Sequence, residues 1–206
     1  MDHSFHFHKF ADKVIQGNEE YEKDFNELIG VINSISDADL IEKFYTIQEV
    51  RRDIKSLSEP INKLLKERLV NLGWVSEPPI FRDDLLNFSS KGKKPISTWR
   101  LDFAKNKFSV EVAFNHQEAT SHNIIKPTLA SELNHVQKAI QTEIGVIITA
   151  TEKLKKSGGF DGAIGTYETF TSYLRPYSNL ISCPLIIIGL NPPKTFYLDK
   201  REIVLW

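Results

Sequence analysis

One cysteine, Cys183, occurs in the 206 residues. That excludes an internal disulfide framework and a cysteine-built structural zinc site. Long apolar runs are missing too. The longest, Pro184 to Leu190, contains Gly189 and is far too short to span a bilayer. The chain does not open on a basic stretch followed by an apolar one; Asp2 and His3 lead instead into alternating Phe5, His6, Phe7 and His8. These absences predict a soluble, cytoplasmic protein with no membrane role. No phosphate-binding glycine loop is present either. Gly158-Gly159 to Gly165 lacks the following Lys-Ser/Thr, and no strand–GxGxxG–helix unit occurs, so no nucleotide cofactor is expected. No cysteine or carboxylate completes a ligand set with His3, His6 and His8, which read as an extended segment with one aromatic face.

Net charge is nearly absent, at −1. Taken whole, that argues against a polyanion binder, yet the average conceals an asymmetry. Residues 1–50 carry a net −7, residues 51–107 a net +6, and residues 108–206 balance. A basic middle can hold a polyanion locally while the chain stays soluble, although such a stretch can also be plain solvated surface. With 41% hydrophobic and 26% charged residues, the composition is that of a folded domain with a sizeable core.

The apolar periodicity predicts three helices first. Asn18 to Val31 has Tyr21, Phe25, Leu28 and Ile32 on one face. Ser36 or Asp37 caps a second helix with Leu40, Ile41 and Phe44 inside. Ser58 caps a third, with Pro60 in its first turn, an Ile61, Leu64, Leu65, Leu69, Leu72 stripe, and Gly73 at its end. The pattern then changes to a β-hairpin: Trp99 to Phe103, a turn over Ala104 to Lys107, and Phe108 to Phe114. A helix over Ile124 to Ile140 follows, with Pro127 in its first turn. The strand Ile144 to Ala150, a loop from Ser157 to Gly165, a helix over Thr166 to Leu174 and a strand over Leu185 to Gly189 complete the order. This is α/β, with a mixed central sheet flanked by helices on both sides.

Alternation along the hairpin puts Phe108, Val110, Val112 and Phe114 on one face, and Ser109, Glu111 and Ala113 on the other. Asp102 opposes its neighbours Leu101 and Phe103, so Asp102 and Glu111 fall side by side. Two carboxylates so close repel each other and call for a Lys, an Arg or a divalent cation. The spacing D-x8-E-x-A on adjacent strands is the outline of a Mg²⁺ nuclease site, where hard oxygens hold the ion and water and phosphate complete its shell. An Asp and a Glu on the polar face of an ordinary hairpin give the same bare spacing.

The flanks discriminate. Trp99-Arg-Leu-Asp102-Phe, a short turn, then Glu111-Val-Ala113-Phe114 resembles the active-site hairpin of type II restriction endonucleases of the BglII/BstYI family, which carry Asp-Phe and Glu-Val-Gln-Phe there. The segment from Ser58-Glu-Pro-Ile-Asn62 to Gly73-Trp74, the strand from Ile144 to Thr149, the loop near Tyr167 and the segment Pro184 to Gly189 are similar to the family in the same order. The resemblance covers most of the chain. It implies a PD-(D/E)XK restriction-endonuclease-like core over residues 58–206, preceded by an N-terminal helical part over 1–57, within a single domain. It implies a homodimer that cuts palindromic double-stranded DNA with Mg²⁺. Asp102 and Glu111 would bind the metal with the Val112 carbonyl. Glu77 would be a further polar active-site residue, with Glu67 as an alternative acid. Asn115, His116 and Gln117 would enter the major groove, where Asn and Gln can read adenine. Lys91, Lys93 and Lys94 form a basic loop able to grip phosphates, or a merely solvated one.

One departure stands out. Ala113 occupies the position where the family has Gln and the wider superfamily Lys, a side chain that steadies the attacking water. Three alternatives follow. A neighbour such as His116, His122 or Lys126 takes over; metal and phosphate alone position the water; or the protein is a weak or inactive nuclease that binds DNA. A protein unrelated to nucleic acids, associating through its acidic N-terminal helices, is a rival of another class.

Overall fold

The computed structural model describes residues 1–82, 99–132 and 137–206. A six-stranded mixed sheet organises the chain, in the order β1-β6-β5-β4-β3-β2. Its centre is where the sequence is most continuously apolar. β5 (Ile144–Ala150) and β6 (Leu185–Leu190) are buried at every position, because helices cover both faces. They run parallel to each other and to β4 (Phe108–Val112). β3 (Phe103–Lys105) and β2 (Val75–Ser76) continue the sheet antiparallel beyond β4. At the other edge β1 (His3–His8) lies antiparallel to β6. The Phe/His tract is therefore an edge strand, and the rings of Phe5 and Phe7 approach Phe25.

Among the described residues, four helices precede the hairpin: α1 (Ala11–Gln16), α2 (Glu19–Ser34), α3 (Asp37–Val50) and α4 (Ser58–Asn71). Ser36 and Asp39 form a reciprocal capping box at the start of α3. Ser58 turns out to be the first residue of α4 and not its cap, and Leu57 precedes it without a side-chain bond. Gly73 takes φ +85°, the left-handed geometry expected just past a helix end. From these helices Leu28, Ile32, Phe44 and Leu65 bury against Phe108, Val110, Val146 and Ile148. Each such side chain contributes roughly 1.5–3 kcal/mol of transfer free energy.

The opposite face is covered by α5 (Thr120–Ser131) and α7 (Tyr167–Tyr177), which bring Ile124, Phe170 and Leu174 onto Ile147 and Ile187. α5 starts and stops earlier than its periodicity predicted, so Pro127 lies inside the helix and not in its first turn. Pro127 presses on β5 where Gly145 has no side chain; a Cβ there would come within 2.5 Å of the Pro127 Cβ. This close approach fixes α5 on the sheet. The expected helix reached Ile140, but Lys138 instead forms a β-bridge to Phe81.

Besides α1, several further elements were not expected. β2 pairs with β3, α6 (Glu152–Ser157) follows a Thr151 cap, and β7 (Phe196–Asp199) pairs with β8 (Glu202–Leu205) in a separate hairpin. That hairpin turns through Lys200 and Arg201, both at positive φ, a geometry usually signalled by Gly or Asn. Among the described residues, no helix is long and apolar enough to cross a membrane. Cys183 is buried as a small apolar residue.

Candidate active site

The hairpin is tighter than the sequence suggested. Its turn is confined to Asn106 and Lys107, with Ala104 and Lys105 still in β3. Asp102 lies just before β3, in a bend, and not inside a strand running from Trp99. The alternation breaks there. Phe103 packs in the core under α2 and α4, whereas Leu101 and Trp99 pack on the other side with Ala104 and Ala130. The register survives the bend. Phe103 pairs with Val110, and the Asp102 amide donates to the Val110 carbonyl at 3.1 Å, so Asp102 comes opposite Glu111.

The face holding this pair is not a solvated sheet face, because α5 covers it. Glu111 is only 2% exposed. Its Oε2 accepts from Lys126 Nζ at 2.6 Å, and Lys126 itself is 14% exposed. Glu111 Oε1 is buried without a hydrogen-bond partner among the described residues. Burial and the neighbouring Asp102 charge together push the Glu111 carboxyl up to about 8, against the pull of Lys126. Burial also raises the Asp102 carboxyl, opposed by the Val112 amide that donates to its Oδ2 at 2.6 Å. A carboxylate pair with one member buried, the other half-buried and one oxygen orphaned is short of positive charge. That is what a hard divalent cation would supply, so the donor set fits one. No group of three His, Cys, Asp or Glu side chains converges among the described residues, so water, backbone and phosphate oxygens would have to complete the shell.

Asp102 and Val112 open into a cleft of about 220 Å³ between the hairpin and α4, also lined by Asn62, Lys66, Ser76 and Glu77. Glu77 is brought to this rim. Its backbone N–H donates to the Asp102 carbonyl at 2.9 Å, and its carboxylate pairs with Lys66 at 3.0 Å. Glu67 is not brought there; it faces α3 and pairs with Lys43 at 2.9 Å. Asn62 and Lys66, one helical turn apart, and Ser76 line the site without having been singled out from the sequence. The signal lay in the α4 stripe: apolar Ile61, Leu65 and Leu69 leave Asn62 and Lys66 on one flank, and Lys63 and Glu67 on the other.

Of the three groups considered to stand in for position 113, the structure brings only Lys126 to a carboxylate. His122 lies tilted against Trp99, ring centroids 4.9 Å apart, and burial with nearby Lys126 lowers its pKa. His116 is exposed and forms a β-bridge to Ile164. Ala113 itself is buried in the apolar cluster with Ile124, Ile147 and Phe170. Asn115, His116 and Gln117 are exposed together. Backbone bonds from Gln117 N–H to the Ala163 carbonyl, and from Gly165 N–H to the Asn115 carbonyl, zip them to the 161–165 loop. Lys91, Lys93 and Lys94 lie outside the described residues.

Comparisons with known proteins bear on this geometry. The profile of the family described as restriction endonuclease BglII/BglIII matches residues 3–190. Among curated proteins, none matches the sequence. The crystal structure of restriction endonuclease BglII complexed with a DNA 16-mer is similar, with TM-score 0.66 and 18% identity, over 99% of this chain and 87% of that one. The crystal structure of free BglII is similar with TM-score 0.50 and 17% identity, over 99% of this chain and 91% of that one. At such identities the structural likeness speaks for the fold, a mixed α/β restriction-endonuclease fold.

Proposed function

The chain belongs to the BglII/BglIII family of restriction endonucleases, and from that premise we propose that it is a Mg²⁺-dependent endonuclease cutting double-stranded DNA at a palindromic site. The observation that carries this reading is the Asp102–Glu111 pair: Glu111 is buried, with one oxygen orphaned among the described residues, and half-buried Asp102 beside it opens into the cleft next to α4. A surface pair would not be desolvated in this way.

Asp102 and Glu111 would hold the ion, with the Val112 carbonyl as a further ligand. When bound, the ion supplies Lewis acidity to the scissile phosphate and acidity to the attacking water. The protein's share is positioning. The Val112 amide fixes one oxygen of Asp102, so that carboxylate is oriented before substrate arrives. α5 excludes bulk water from Glu111. Glu77 and Lys66 lie at the cleft rim, where a DNA strand would pass. Water gives a proton to solvent as its oxygen bonds to phosphorus in line, the P–O3′ bond breaks, and O3′ takes a proton from solvent. The products are a 5′-phosphate and a 3′-hydroxyl. Asn115, His116 and Gln117, exposed on a loop held by backbone bonds, would read base edges in the major groove. A palindrome cut by one small domain needs two copies about a twofold axis, so the working unit is a homodimer.

A second reading has a specific observation behind it. Ala113 offers no polar group to the site and is packed in an apolar cluster, as in a protein that binds DNA without cutting it. Incubating purified protein with plasmid and Mg²⁺ or Mn²⁺ separates the two. Discrete fragments with 5′-phosphate ends support the nuclease. Retarded but intact DNA supports the binder, and wild-type-rate cleavage by Asp102→Asn would overturn the metal-site assignment.

A further inference from the structure

The amine that position 113 cannot supply is present in this molecule, on another element. Lys126 comes from the middle of α5, one residue before the Pro127 that presses on Gly145. Its ammonium lies 2.6 Å from Glu111 Oε2 and is itself largely buried. α5 does not need this ion pair to stay docked, because Ile124, Pro127 and Ala130 on the same helix are buried. Isolated buried ion pairs add little to stability over an apolar replacement. The pair has a better explanation in charge. Glu111 is buried beside half-buried Asp102, and Lys126 is the cation paired with Glu111.

Resting on the nuclease reading above, we infer that Lys126 is the resident counter-ion of the Asp102–Glu111 pair, displaced by the divalent cation and handed to the DNA phosphate. A cation between the carboxylates and an ammonium on Glu111 repel each other, so metal binding weakens the Lys126–Glu111 contact. The four-carbon stem of lysine lets its head move several ångströms while α5 stays fixed by Pro127. An anionic phosphate entering the cleft is the natural acceptor for the released ammonium. Lys126 thus competes with the metal before substrate binds, and assists the developing charge on the phosphate afterwards.

This role has a signature that a structural one lacks. Lys126→Met should bind Mg²⁺ or Ca²⁺ in the DNA-free protein more tightly, by about tenfold, because the competing charge is gone. The same variant should cleave more slowly, by about a hundredfold, because the phosphate loses its amine. Lys126→Arg should recover part of that loss. Titration calorimetry reads the metal affinity, and single-turnover digestion reads the cleavage. If Lys126→Met lacks the wild-type circular dichroism spectrum, Lys126→Gln, which can still donate to Glu111, serves in its place. Weakened metal binding, or cleavage at the wild-type rate, overturns the role of Lys126 and leaves the nuclease reading intact. Wild-type protein that neither binds the ion nor cuts DNA sinks the nuclease reading itself.

Discussion

The amide of Val112 donates to Asp102 Oδ2 across 2.6 Å, so the strand that carries Glu111 also holds the other carboxylate in place. Two substitutions at Asp102 should therefore part company. Asp102→Asn keeps an oxygen that can accept from Val112, and its melting temperature should stay near wild type. Asp102→Ala leaves that half-buried N–H without its partner, at a cost of about 1–3 kcal/mol, or roughly 3–9 °C for a chain of this size. Both should lose cleavage in Mg²⁺ by about a thousandfold or more, since metal-borne chemistry needs both carboxylates. Thermal melts beside plasmid digestion check the pair. Equal melting temperatures would count against the hydrogen bond as a positioning device.

Glu111 gives a pH prediction for the metal-free protein. Its folded carboxyl titrates near 8, against an ordinary 4.5. Between those values the folded state holds a proton that the unfolded state has released. Stability is then full below about pH 4.5 and falls as pH rises through about 8. Glu111→Gln removes this dependence. Without metal its melting temperature should be the same at pH 5 and at pH 8–9, while cleavage is lost. A pH series of melts in a metal chelator tests it; a wild-type curve flat between pH 5 and 8 would refute it.

What the sequence could and could not tell follows from the range of the interactions. The Asp102–Glu111 juxtaposition was legible because strand alternation and a short turn are local. The exact start of β3 was not, because the bend at Asp102 lets Leu101 and Phe103 enter different cores. Whether Lys66 or Glu67 faces the cleft depends on about 100° of helix rotation, which packing on α3 decides. Lys126 could be named from the sequence only as one of three candidates. Its contact with Glu111 depends on the docking of α5 through Pro127 and Gly145, a contact between distant segments. The turn through Lys200 and Arg201 carries no glycine or asparagine to announce it.

The acidic N-terminal region has an intramolecular task. Glu27 Oε1 accepts from Lys105 at 2.5 Å and from the Trp74 indole at 2.7 Å, and Asp24 accepts from the Asn106 amide at 2.7 Å. These bonds hold the tip of the β3–β4 hairpin onto α2. Asp24 is 4% exposed, whereas Asn106 is exposed, so Asp24→Ala costs the bond itself and leaves the Asn106 amide to water. A loss of about 0.5–1.5 kcal/mol is expected. The melting temperature should fall by several degrees, and cleavage should fail at a lower temperature than in wild type although both metal carboxylates remain. A thermal melt and a temperature series of digests measure this. An unchanged melting temperature would show that the hairpin tip needs no such anchor.

The proposed DNA contacts divide into two kinds that a salt titration can separate. Gln117 is exposed on a loop whose backbone is bonded to Ala163, so its side chain is offered outward from a fixed support. Lys66 is half exposed at the cleft rim and paired with Glu77. Phosphate contacts set affinity and its salt dependence, whereas base contacts set sequence preference. Lys66→Ala should then weaken binding to all sequences alike and lower the log–log salt slope by about one. Gln117→Ala should leave that slope unchanged and reduce discrimination between the preferred site and a one-base variant, by about 1–3 kcal/mol. Binding in Ca²⁺ at several salt concentrations, on matched and mismatched duplexes, gives both numbers. The assignment of the loop as the base reader fails if Gln117→Ala weakens matched and mismatched duplexes equally. Lys66 is no phosphate contact if its loss leaves the slope intact. The two tests are independent, because one residue lies beyond the end of β4 and the other on α4, on opposite flanks of the Asp102–Glu111 pair in the chain.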